Sequence, residues 1–235
     1  MASGPERLAS HHTIHRGAVL ALLPIGATFG YYGLPHSFRE QLLIQFAPQL
    51  LAYAALGLWA AHTSQVRREL GLSHALLGQG LRWGIMTGLV LGGLNTVVIL
   101  VIYPFFGYDI TFLKQTPHGR LPAMVMIPWL ICVIALFVEV NFRGFVLGRL
   151  AEFETYRRGS NTRQHMAPLA LMISTLTFAF DPFMVNTFQY LHWIALWDGL
   201  IWGTIWLRTR NLWITIVAHA VEVLVMYSAV KVAIG

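Results

Sequence analysis

Seven apolar runs divide this chain, at approximately 17–34, 42–62, 84–106, 122–147, 167–181, 185–207 and 211–233. A helix needs about 20 apolar residues to cross a bilayer, and backbone in lipid must satisfy its own hydrogen bonds. The chain therefore reads as all-α, a polytopic membrane bundle of about seven (six to eight) transmembrane helices. Composition agrees: 56% of the 235 residues are hydrophobic and 11% charged. That length suffices for one bundle and leaves no room for a sizeable soluble domain.

Lys and Arg placement sets the expected orientation. With the N-terminus in the cytoplasm, Arg7, Arg16, Arg67, Arg68, Arg82, Arg149, Arg157, Arg158, Arg163, Arg208 and Arg210 lie inside. Arg39, Lys114, Arg120 and Lys231 lie outside. The +6 net charge is thus mostly topological. The basic residues are spread over short loops without an aromatic-lined groove, so nucleic acid is not an expected partner. The first run lacks a clear small-x-small cleavage site and reads as a retained span. The expected organisation is a cytoplasmic tail over 1–16, scaffold spans over 17–121 and a core over 122–235. The expected location is a bacterial inner membrane.

Charges inside the runs are the next constraint. An ionised side chain at bilayer depth costs about 2.5–3.5 kcal/mol even on the mild insertion scale, so such groups face the bundle interior and act there. Glu139 and Arg143 are four residues apart and share a helix face. Asp181, His192, Asp198, His219 and Glu222 follow in later spans. At a rise of about 1.5 Å per residue, Glu139, Asp181, Asp198 and His219 reach comparable depths from different helices. His219 and Glu222 share a face of the last helix.

Each group also has a plain structural reading. Glu139–Arg143 can be an ion pair fixing helix register. Asp181 before Pro182 can cap a turn, His192 beside Tyr190 and Trp193 can be a packing histidine, and Asp198 can be a buried hydrogen-bonding group. Asn95 and Thr96 beside Gly92-Gly93 read as close helix packing. Cys132, the single cysteine, reads as a small packing residue, and His11, His12 and His15 as an interfacial tail. The carboxylate–histidine set Glu139, Asp181, His219 and Glu222 could hold a divalent metal such as zinc, although its spacing matches no strong metal motif.

Two stretches resemble one family. Glu139-x-x-Phe142-Arg143-Gly144-Phe145, followed by Leu147-Gly148-Arg149, is similar to the first motif of the CPBP intramembrane proteases. These include the type II CAAX prenyl proteases and their bacterial relatives. Trp206-Leu-Arg-Thr-Arg-Asn-Leu-Trp-Ile-Thr-Ile-Val-Ala-His219-Ala220 resembles the last motif. The resemblance spans about residues 120–230. It implies an endopeptidase in which glutamate and histidine activate water to cleave a membrane-associated protein or peptide, with no required cofactor.

The departures are specific. The family's paired glutamates fall on Val138 and Glu139, its second-motif histidine on Pro182 and its last-motif asparagine on Val223. A rebuilt site would use Glu139 as base, with Arg143, Asp181, His219 and Glu222 around it, brought together by a local bulge or helix rotation. The alternatives are a catalytically silent scaffold or chaperone of the same fold, and a proton-coupled transporter.

Overall fold

The computed structural model describes residues 4–159 and 167–234; the side chains of residues 4–16 and 130–132 lie outside the description. His11, His12, His15, Cys132 and Arg163 therefore fall outside the described side chains. Among the described residues the protein is helical throughout, with no strand.

Every expected span falls on helix. The first helix, Gly4–Tyr31, begins earlier than expected, so the stretch read as a tail is continuous with the first apolar run. The second is Leu42–Ala61. The third, Leu77–Val97, continues through a wider i→i+5 turn at Val98–Ile102. A helical run over 123–158 carries the first motif. Pro168–Ala179 and Ile194–Thr209 precede the last helix, Leu212–Ile234.

Among the described residues, three helices can cross a membrane by length and composition alone: Leu42–Ala61, Val66–Phe105 and Leu212–Ile234. Pro168–Ala179 and Pro182–Thr209 pass only together, with a 49° bend between them, which makes up to four. The fifth and sixth expected runs therefore count as one bent pair at most, for two physical reasons. The expected 185–207 span is not one helix: Gln189 has φ 48 and interrupts it, so the long segment starts at Ile194. Pro168–Ala179 has 12 residues, about 18 Å at helical rise, which is short of a hydrocarbon core of about 30 Å. Gly199 and Gly203 nevertheless seat against Thr175 and Leu171, so these two helices lie antiparallel.

Proline shapes two of the wide turns. Pro128 immediately precedes an i→i+5 stretch at Trp129–Ile134, and Pro104 follows the one at Val98–Ile102. A missing N–H breaks the i→i+4 ladder and lets it shift. A third wide stretch, Val140–Leu147, contains the first motif. It has no proline. Gly144 lies in its middle, where a Cβ would meet Leu70 and Leu212.

The third and last helices form the closest pairing. Gly80, Gly84, Gly88 and Gly92 lie one turn apart, and a Cβ on any of them would come within 3.0 Å of Trp213, Val217, Ala218 and Val221, or Val225 respectively. The pairs advance together along both chains, so the helices run parallel. Small residues permit such backbone approach, which supplies dispersion contacts in lipid where the hydrophobic effect between helices is absent.

Three apolar clusters hold the bundle. One joins Trp59, Leu70, Phe145, Trp206 and Leu212. A second joins Leu91, Phe142, Phe178, Trp202 and Ala218, and a third Ile99, Leu113, Leu191 and Ile194. The polar groups described next sit with the second.

Candidate active site

Glu139 ends a regular helical segment and Arg143 lies inside the wide stretch that follows. Their side chains pair at 3.2 Å, Arg143 Nη1 to Glu139 Oε1, with exposures of 2% and 0%. From the last helix, His219 Nδ1 donates to the same Oε1 at 2.9 Å. The acceptor is a carboxylate, so the ring proton is placed on Nδ1. Nε2 then carries the lone pair. Thr215, one turn earlier on the last helix, also neighbours Glu139. Glu139 Oε2 is buried without a hydrogen-bond partner in the structure.

Aromatic rings wall this triad. The Arg143 guanidinium lies 4.3 Å from the Phe178 centroid and 5.0 Å from that of Trp202. Trp202 stacks on His219 at 4.6 Å with 26° between the planes. Phe142 packs edge-on against Phe178 at 5.2 Å. A delocalised guanidinium is weakly hydrated and stacks on ring faces, so arginine is favoured over lysine at such a position.

A second polar group lies beside the first. Asn95 Nδ2 donates to Glu222 Oε1 at 2.6 Å and faces both Asp198 carboxylate oxygens at 3.3 and 3.4 Å. Trp197 Nε1 donates to Asn95 Oδ1 at 2.9 Å. Asn95, Asp198 and Glu222 are all buried, and both carboxylates are within electrostatic reach of Arg143. The glycine face of the third helix is what delivers Asn95, which follows Gly92 by one turn.

Asp181 goes elsewhere. It caps the short helix Pro182–Phe188, accepting from the backbone N–H groups of Phe183 and Met184 at 3.1 and 3.3 Å. Gln49 donates to it at 2.9 Å. His192 is bonded to the Gln189 carbonyl and packs against Phe180 and Trp193, as a packing histidine would. Of the expected set, Glu139, Arg143 and His219 meet directly, and Glu222 stands one turn beyond with Asp198. Among the described residues no three His, Cys, Asp or Glu side chains gather so as to hold a metal ion. The set Glu139, Asp181, His219 and Glu222 does not come together as ligands.

Nothing in the sequence assigns Asn95 or Trp202 to a functional site. Asn95 is neutral, and a polar residue beside paired glycines reads as helix packing. Trp202 is one of eight tryptophans, most of which serve as packing or interface anchors. The three departures from the family motifs are apolar in space as well: Val138 packs against the second cluster, Pro182 is buried and Val223 is half-buried.

Residues 120–225 match the family model described as type II CAAX prenyl endopeptidase Rce1-like. Residues 120–225 are similar to that family. The match contains Glu139, Arg143, Phe178, Asp198, Trp202, His219 and Glu222, and excludes Asn95. It agrees with the resemblance carried by the two motifs, and with the apolar helices it makes this an integral membrane protein. No curated protein and no solved structure matches the chain significantly.

Proposed function

We propose that the protein is an intramembrane endopeptidase whose base is Glu139, acting on a membrane-associated protein. The observation that carries this reading is the meeting of Glu139, Arg143 and His219 in one buried centre, from two motifs 80 residues apart in sequence. A structural ion pair needs only Glu139 and Arg143. The added histidine, with its second nitrogen directed away from the glutamate, is the part that chemistry uses.

In this reading Arg143 and the His219 Nδ1–H hold Glu139 ionised through Oε1. Oε2 accepts one proton of a water molecule, and His219 Nε2 accepts the other. The water is thereby aimed at the scissile carbonyl. The water oxygen bonds to the carbonyl carbon, Glu139 takes the proton, and the C–N bond breaks as that proton passes to the leaving nitrogen. Asp198, Glu222 and Asn95 set the field around Arg143. Asp181 is a helix cap with no part in the step, and no metal is needed to balance it.

Purified protein in proteoliposomes, incubated with membrane-protein extract in ¹⁸O-water, tests the reaction class. Wild type is expected to create new carboxyl termini carrying ¹⁸O, and Glu139→Gln and His219→Ala to create none. If wild type and both variants give the same labelled termini, Glu139 is not the base.

The apolar replacements at positions 138, 182 and 223 favour one second reading, a silent scaffold of the same fold. It predicts no labelled terminus from wild type and loss of a bound membrane partner in the variants.

A further inference from the structure

At one end of the bundle, outside the Rce1-like centre, a cleft of about 360 Å³ is lined by Gln65, Arg68, Glu69, Gly148, Arg149, Glu152 and Arg210. Its walls come from three places far apart in sequence. Gly71 and the 210–212 turn join them: Leu212 N–H donates to Gly71 O at 3.0 Å, Trp206 Nε1 to Leu70 O at 3.3 Å, and Asn211 Nδ2 to Leu76 O at 3.0 Å. Gly71 has φ +80, and a Cβ there would meet the Arg210 carbonyl, so the turn is fixed rather than incidental.

Three arginines face two glutamates across this space. Arg149 is 7% exposed. Its Nη1 bonds Glu69 at 2.8 Å and Glu152 at 2.7 Å, and its guanidinium lies 4.7 Å from the Trp59 centroid. Its Nε is buried without a hydrogen-bond partner in the structure. Arg210 stacks on Trp206 at 4.3 Å. Arg68 is exposed and donates to Gln65 at 2.9 Å. Burial, then the nearby Arg149, pull Arg210 down to about 10. Three arginines against two glutamates leave an excess of positive charge on the cleft wall, which favours an anion there.

We propose that this cleft binds a phosphate-bearing anion, the headgroup of an anionic lipid being the source at hand at a membrane surface. Basic pockets between transmembrane helices take such headgroups. Arg149 supplies a buried charge, Arg210 a half-buried one and Arg68 an exposed one. Glu69 competes with the ligand for Arg149.

The test is a thermal-unfolding titration of the purified full chain in neutral detergent. The probes are short-chain phosphatidylglycerol, short-chain phosphatidylcholine and inorganic phosphate. Phosphatidylglycerol is expected to raise Tm saturably, and phosphatidylcholine to give no saturable rise. Arg68→Gln, at an exposed position, should weaken the phosphatidylglycerol midpoint about fivefold. Glu69→Gln should strengthen it, a direction that general loss of structure would not produce. An equal effect of inorganic phosphate, with the same response to both variants, makes free phosphate the ligand of the same site. Equal effects of phosphatidylcholine and phosphatidylglycerol, or unchanged midpoints in both variants, overturn the proposal.

Discussion

Glu139 Oε1 is shared between Arg143 and His219, and the two contacts differ in what they protect. Arg143 neutralises a carboxylate with 0% exposure. Removing one partner of a buried pair strands the other charge, at a cost of about 3–5 kcal/mol. Arg143→Leu should therefore lower stability by about that amount in thermal or denaturant unfolding of the detergent-solubilised protein, and Arg143→Lys should recover part of the loss, since it keeps the charge and forfeits the stack on Phe178 and Trp202. His219→Ala leaves the ion pair in place and removes one buried hydrogen bond, worth about 1–3 kcal/mol. It is the cleaner probe of chemistry. These three residues were legible in the sequence because a charge or a histidine inside an apolar run is costly unless it is paired or put to use, and because their spacing repeats a known motif. Asn95 was not: it is neutral, and its partners lie over a hundred positions away.

Helix pairing explains how a residue outside the Rce1-like segment reaches that centre. A Cβ at Gly88 would meet the Ala218 carbonyl at 2.6 Å and Val221 at 2.7 Å, whereas one at Gly93 meets nothing within 4 Å. Alanine is favoured over glycine in a helix by about 1 kcal/mol. Gly93→Ala should thus be neutral or stabilising. Gly88→Ala should destabilise by about 1–3 kcal/mol, as overpacking does, and move Asn95 away from Glu222. Equal unfolding temperatures for the two variants would contradict this interface. At the same scale, the apolar runs located the helices well, since length and hydropathy are read directly. They could not show the interruption at Gln189 or the wide turn over Val140–Leu147. Both depend on tertiary contacts, and neither has a proline within it.

For the whole molecule, the parallel pairing of the third and last helices requires both to enter the membrane from one side. The turns that begin them are joined, at Gly71 with Leu212 and at Asn211 with Leu76. This basic end carries Arg67, Arg68, Arg149, Arg208 and Arg210, and the positive-inside rule predicts a cytoplasmic position for it. In a Cys132→Ala background, cysteine at position 114 should react with an impermeant thiol reagent in intact cells, and cysteine at 208 only after permeabilisation. The reverse pattern would invert the orientation. Seen from that end, His219 lies seven residues into the last helix, about 10 Å at helical rise. The proposed centre, at this depth, suits a bond held near the membrane surface.

The most direct test of that centre compares membrane-protein termini by mass spectrometry in cells expressing wild type, Glu139→Gln or His219→Ala at matched levels of folded protein. At least one terminus should be present with wild type and absent with both variants. Identical termini in all three, with the proteins equally stable, would contradict it and leave Glu139–Arg143 as a structural pair.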